Sequence, residues 1–193
     1  MGEQPDYARR AADEAVAVVP YDPDWPRRFE EEARRLRDCL PAELIGRIEH
    51  FGSTAVPGLA AKPIIDMLVE VTSLEAVRDR IAPILEARGY EFFWRPSAAG
   101  ETDIAYAWFI RRDAAGRRTH HVHMLEKDAK DWERLLFRDY LTEHPETAAE
   151  YAALKQRLAA EHPDDRRAYA RAKTDFIVRT TREAKRHYGA QKD

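Results

Sequence analysis

Apolar positions recur along this chain at two spacings. Phe29, Ala33, Leu36 and Leu40 repeat at helical intervals, and Pro41 ends the run. Asp24-Trp25-Pro26 stands just before them, with Asp24 expected as the cap and Pro26 in the first turn. Ile45 to Gly52 reads as a short strand and Ile64 to Val71 as a clearer one. Alternation puts Ile65, Met67, Val69 and Val71 on one face and Ile64, Asp66, Leu68 and Glu70 on the other. Ser73 predicts the cap of a helix to about Arg88, with Leu74, Val77, Ile81 and Leu85 as its stripe and Gly89 as its stop. Tyr90 to Arg95 and Ile104 to Arg112 read as aromatic-rich strands. A turn at 113–116 brings Thr119 to Glu126 back as a hairpin partner. Candidate helices then run from about Asp131 to Thr142, Glu146 to Glu161 and Asp165 to Tyr188, punctuated by Pro145 and Pro163. Near the start, Val16 to Val19 is an apolar run ended by Pro20, an edge strand or strap.

This order predicts one α/β domain over 16–193: an α/β unit to about residue 128, then a helical part over 129–193. The polar stretch through about Ala15 reads as a flexible lead without the apolar core of a signal peptide. A chain of 193 residues is long enough for a real core. No apolar run approaches the roughly 20 residues of a membrane span, so no membrane role is expected. The formal net charge of −3 gives no global pull toward nucleic acid, and no nucleic-acid partner is expected. Cys39 is the single cysteine, which excludes an internal disulfide and a cysteine-based zinc site. A reduced, cytoplasmic setting is the natural expectation; composition leaves the oligomeric state open.

Three stretches carry candidate chemistry. In Phe51-Gly52-Ser53-Thr54-Ala55-Val56-Pro57-Gly58, glycine allows close backbone approach to a phosphate, and Ser53 and Thr54 add hydroxyls. Lys62 follows within reach of the same anion. The bland alternative is a tight turn, and the Walker pattern is absent. Asp66 sits among aliphatic residues, where a carboxylate is costly unless a cation or donors meet it. Thr119-His120-His121-Val122-His123-Met124 holds three of the seven histidines. On a strand, His121 and His123 share a face, a good bidentate metal pair, while His120 faces away. With Asp66 they form a candidate metal set. Lys173 falls inside the stripe of Tyr169, Phe176, Ile177 and Thr180, where a lysine either snorkels to water or aims at a phosphate. Lys155 raises the same question more weakly. Arg138 is a further anion candidate, or a plain surface charge beside Asp139.

FGSTAVPGLAAKPIIDMLVEV, followed by THHVHMLEK, FRDYL and the YAALKQRLA to AKTDFI segment, closely resembles the GrpB family over roughly Val18 to Ile177. The resemblance implies a nucleotidyltransferase-like fold: a mixed sheet flanked by helices, with a helical C-terminal part. It also implies kinship with a domain fused to dephospho-CoA kinase in some bacteria, for which a folding-assistance role has been proposed. In nucleotidyltransferases of this fold a Gly-Ser follows the first strand, and the next strand carries two acids one residue apart. Gly52-Ser53 and Asp66 match, while Leu68 stands at the second acid. The strand expected to supply a third acid offers His121 and His123. One acid with two imidazoles suits zinc, manganese or nickel better than magnesium.

The reading that follows is a protein binding a divalent metal through Asp66, His121 and His123. Its partner is a nucleotide or phosphorylated small molecule on Gly52, Ser53, Thr54, Lys62 and Arg138. Asp66 and Lys173 are the candidate catalytic residues if a nucleotidyl group is transferred. The alternatives are a non-catalytic ligand-sensing or folding-assistance module, and a metal-dependent phosphoesterase.

Overall fold

A computed structural model of the chain describes residues 15–95 and 106–190. Residues 1–14 of the expected lead and the first two residues of the strand expected from Ile104 lie outside them. Two compact units are present. Residues 22–55 and 64–132 form a sheet unit, and residues 15–21, 56–63 and 133–190 form a helical unit.

The sheet unit begins with α1, Trp25–Cys39, which buries Trp25, Ala33 and Leu36. Asp24 was expected to cap it and does not. Its carboxylate is instead held by Arg27, with Nε and Nη2 each donating at 2.6 Å. Strand β1, Ile45–Phe51, leads into a 3-10 turn at Ser53–Ala55, and β2 is Ile65–Val71. Ser73 does cap the next helix, accepting from the Ala76 N–H at 3.1 Å. That helix, α2, covers 74–86 and contains a π-helical turn at Val77–Ile81. Strands β3 (Glu91–Arg95), β4 (Tyr106–Arg112) and β5 (Arg118–Glu126) complete the unit.

The sheet order is β1-β2-β5-β4-β3. Among the described residues the central β2–β5 pair is parallel and the other three pairings are antiparallel. Cross-strand partners share a face, so the register fixes what faces what. Asp66 lies beside Phe51 and His121, Leu68 beside His123, and Trp108 beside His123 from the far side. The opposite face carries Ile65, Met67, Val69, Val122, Met124 and Phe109, all at 0% exposure. Both helices of the unit pack there. Phe29 of α1 stacks on His50 (ring centroids 4.8 Å apart), and Glu32 accepts from Tyr90 and Arg111. The Leu74 N–H at the start of α2 donates to Glu126 Oε1 at 2.9 Å. The expected mixed sheet with flanking helices is therefore what the chain forms, with the Asp66–His121–His123 face turned away from both helices of its own unit.

The helical unit holds α3 (Arg134–Glu143), α4 (Pro145–Glu161), α5 (Arg166–Ala172) and α6 (Thr174–Ala190). The single helix expected from Asp165 to Tyr188 is thus two helices, broken at Lys173. The reason lies in the packing. Tyr169 joins Val16 and Leu158 in one cluster, whereas Phe176 and Ile177 pack on Val56, Leu59, Phe137, Leu141 and Tyr151 in another. One straight stripe does not serve both. Val56 and Leu59 also explain why 56–63 belongs with these helices and not with the strands that flank it in sequence. The Val16–Val19 run is a strap: Val19 and Ala61 exchange backbone hydrogen bonds of 2.8 and 2.9 Å.

Candidate metal centre

The site is built from three neighbouring chain segments of the sheet unit. Parallel pairing of β2 with β5 sets Asp66 directly beside His121, and the two-residue period carries His123 to the same face. His121 Nδ1 lies 2.9 Å from Asp66 Oδ1, and His123 Nε2 lies 4.0 Å from the same oxygen. One ligand atom from each residue falls within 4.8 Å of the others. The imidazoles are nearly buried, at 9% and 7% exposure, while the Asp66 side chain keeps 29%. A carboxylate and two imidazoles at these separations fit a single divalent ion, because each ligand atom stands within one metal–ligand diameter of another.

Aromatic rings fix the histidines. Trp108 meets His121 edge-on at 5.4 Å and lies flat beside His123 at 5.8 Å, and Phe51 meets His123 edge-on at 5.2 Å. Gly52, immediately after β1, has φ +73. A Cβ there would stand 2.8 Å from Asp66 Oδ2 and 3.2 Å from Asp66 Cβ. Glycine is required twice over: for the left-handed backbone and for the space the Asp66 carboxylate occupies. The loop and the acid are therefore one construction.

Other expected site residues fare differently. Thr54 does not present its hydroxyl to a ligand. It is 1% exposed, donates to the Ile64 carbonyl at 3.3 Å and lies 3.0 Å from His50 Nε2. Its role is to fasten the turn, and this corrects its assignment as a phosphate donor. Ser53 is half-buried on the same turn. His120 points to the opposite face, as expected; burial holds its pKa down to about 4. Glu70 pairs with Arg47 at 3.1 Å.

Lys62, Arg138, Lys155 and Lys173 all belong to the helical unit. Lys62 Nζ and Lys173 Nζ approach the same Tyr169 ring, at 5.2 and 4.5 Å from its centroid. Lys155 is 2% exposed, donates to the Ala60 carbonyl and lies 4.7 Å from the Tyr151 centroid. Burial, and then the Lys173 charge, pull its pKa down to about 7. Arg138 Nε donates to its neighbour Asp139 at 2.6 Å.

Sequence reasoning passed over Arg118, which lies against this site. It is 7% exposed, and its Nη1 stands 3.4 Å from His121 Nε2. Strict alternation along β5 assigns Arg118 to the His120 face. A register shift between Arg111 and Arg112 of the partner strand breaks that alternation. Trp108 and Phe51 were legible as strand residues, but their contact with the imidazoles needed the strand order.

The sheet unit thus defines a mixed α/β protein with an Asp-His-His cluster under a glycine loop. The chain belongs to the GrpB family: the family profile described as GrpB protein matches residues 15–183. It is 44% identical over 172 residues to UPF0157 protein YqkA of Bacillus subtilis (strain 168), covering 89% of this chain and 48% of that protein. It therefore spans about half the length of that relative. It is 31% identical over 189 residues to a dephospho-CoA kinase of Mycolicibacterium paratuberculosis, covering 88% of this chain and 46% of the kinase. The crystal structure of conserved protein GrpB from Enterococcus faecalis superposes with a TM-score of 0.76 at 38% identity, covering 89% of this chain and 99% of that one. Among the described residues no helix is long and apolar enough to cross a membrane.

Proposed function

We propose that this chain binds one divalent metal ion on Asp66, His121 and His123, and beside it a nucleotide or another phosphorylated small molecule. Transfer of a nucleotidyl group is the reaction to test. The observation that carries the reading is the meeting of one ligand atom each from Asp66, His121 and His123 within 4.8 Å of one another on one sheet face. The donor set favours zinc, manganese or nickel over magnesium, which prefers an all-oxygen shell. When bound, such an ion polarises a phosphoryl oxygen. The chain's own contributions are separate. Before an ion binds, Asp66 orients His121 through the 2.9 Å contact. Gly52 keeps the loop close over the acid, and Ser53 supplies a hydroxyl. Lys62, Arg138 and Lys173 of the helical unit are proposed as phosphate-binding cations on residue type, Lys62 and Lys173 both approaching the Tyr169 ring.

The test is calorimetric titration of purified protein with manganese and zinc, followed by a panel of nucleoside triphosphates. One metal per chain is expected, with metal and nucleotide binding both lost in Asp66→Ala. A protein that takes up no metal, and binds nucleotide equally with and without Asp66, refutes the reading.

A second reading is a non-catalytic module that senses a ligand or assists a partner enzyme. Leu68 favours it: this aliphatic residue stands at 0% exposure where nucleotidyltransferases of the fold carry a second acid, and it lies beside His123. The match to part of a dephospho-CoA kinase is consistent with it. Pyrophosphate release from a triphosphate panel separates the two. Turnover abolished by Asp66→Ala supports the transferase, and binding without turnover supports the module.

A further inference from the structure

Lys155 lies on α4 at 2% exposure, in surroundings that do little to hold a charge. The Ala60 carbonyl accepts one of its three ammonium protons, and the face of Tyr151 lies 4.7 Å away. After burial itself, the influence that shifts its titration is the like charge of Lys173. Desolvating an ammonium beside a second cation is costly unless an anion joins them. A methionine would fill the same space without that cost, so packing alone gives no reason for a lysine at this position.

Three stretches of the helical unit bring lysines together here. The 56–63 segment supplies Ala60 and, two residues on, Lys62. The Nζ atoms of Lys62 and Lys173 stand 5.2 and 4.5 Å from the centroid of one ring, that of Tyr169. Lys173 occupies the break between α5 and α6, so the turn of the chain there sets its ammonium on Tyr169 and within electrostatic reach of Lys155. Lys62 and Lys173 are half-buried, and Lys155 lies deeper. Tyr169 adds no charge, because burial raises its pKa to about 12. Burial and then Lys173 hold the Lys155 pKa down to about 7, so its amine is only partly protonated in neutral solution. A dianion arriving on Lys62 and Lys173 offsets the Lys173 charge and gives the buried amine a counter-charge, which restores the ammonium form.

We infer that Lys155 completes an anion site with Lys62 and Lys173, and that a phosphoryl dianion is taken up there together with one proton, which comes from solvent and lands on Lys155 Nζ. The inference rests on the assignment of Lys62 and Lys173 as phosphate-binding cations under the proposed function. It adds the buried residue that answers the ligand's charge. Binding is therefore linked to protonation: ligand affinity falls as pH rises past the point where the free protein loses the Lys155 proton.

The experiment is calorimetric titration of the full, metal-free chain with sulfate, a dianion that does not itself titrate near neutrality. Two buffers of different ionisation enthalpy are used at pH 6 and at pH 8, and the difference between them counts the protons taken up. Wild type should take up almost no proton at pH 6 and close to one per sulfate at pH 8, with affinity falling about tenfold between the two. Lys155→Met should bind sulfate on the order of tenfold more weakly at pH 6, with no uptake at pH 8. Lys173→Gln removes the like charge and should move the uptake to higher pH. The carbon-13 resonance of Lys155 Cε in wild type gives a readout that needs no variant to fold: its titration midpoint should rise when sulfate is present. No sulfate binding, binding without proton uptake at pH 8, uptake that survives in Lys155→Met, or a Lys155 midpoint unmoved by sulfate overturns the inference. Each of these leaves the Asp66–His121–His123 reading standing, since no metal is present. A wild type that takes up the proton with sulfate but binds no metal overturns that reading and supports the anion site.

Discussion

Gly52→Ala tests whether the glycine loop and the Asp66 carboxylate are one construction. Two costs are expected. The first is backbone strain: alanine at φ +73 occupies the left-handed region at about 1–2 kcal/mol. The second is steric. The new Cβ would lie 2.8 Å from Asp66 Oδ2 and 3.2 Å from Asp66 Cβ. The oxygen can swing away, but the Cβ is fixed by a strand with neighbours on both sides, so relief requires moving the loop or tilting the acid. Overpacking of this kind costs about 1–3 kcal/mol. The natural control is Gly89→Ala in the same unit. Gly89 has φ +83, and a Cβ there meets nothing within 4 Å, so it bears the strain without the clash. At roughly 2–4 °C per kcal/mol for a chain of this size, Gly89→Ala should lower Tm by about 2–8 °C and leave metal affinity unchanged. Gly52→Ala should lower Tm further and weaken manganese binding about 10–100-fold, as disturbed support of a ligand usually does. Thermal melts and calorimetry on both variants decide it. Equal Tm losses with unchanged metal affinity in Gly52→Ala would refute the coupling of loop and acid.

Three further outcomes follow from the same geometry. Asp66→Asn keeps the shape of the side chain but removes its charge and should abolish stoichiometric zinc uptake; a variant still binding one zinc at wild-type affinity would show that His121 and His123 suffice. Tyr90→Phe deletes the hydroxyl that donates to Glu32, a residue at 1% exposure; the orphaned carboxylate oxygen should cost about 1–3 kcal/mol in denaturant melts, and no loss would show that Arg111 and Arg35 satisfy Glu32 without it. Lys155 has its folded pKa drawn down to about 7 from 10.5 by burial and then by Lys173. The unfolded chain therefore binds more protons between those values, and stability should rise as pH climbs from about 7 toward 10.5. Lys155→Met should remove that rise, and a pH–stability profile identical to wild type would refute the burial argument.

Much of the fold was legible because its strands and helices differ in period. The alternation of Ile65, Asp66, Met67 and Leu68 fixed two faces, and β2 formed with those faces. Ser73 and Gly89 bracketed α2 through side-chain capping and a positive φ, both local effects. One failure was local and the others non-local. Asp24 lost its capping role to Arg27, a competition between two local partners that composition does not rank. The break at Lys173 arises because Tyr169 and Phe176 serve different clusters, which depends on tertiary partners. Within the candidate site, His121 and His123 were readable from their i, i+2 spacing, and Asp66 from its aliphatic surroundings. That Asp66 pairs with His121 required knowing that β2 and β5 are parallel neighbours although β3 and β4 come between them in sequence. Thr54 looked like a ligand donor because its hydroxyl stood in a glycine loop, yet the turn consumes it internally. Arg118 escaped notice because a register shift, invisible in the hydropathy pattern, returned it to the histidine face.

X-ray absorption at the zinc edge, on protein loaded with one equivalent of zinc, probes the Asp66–His121–His123 centre most directly. Two imidazoles should appear as outer-shell scattering in a mixed nitrogen and oxygen shell, dropping to one imidazole in His123→Ala. A shell of oxygens alone, or a spectrum unchanged by His123→Ala, would contradict a metal centre at these three residues.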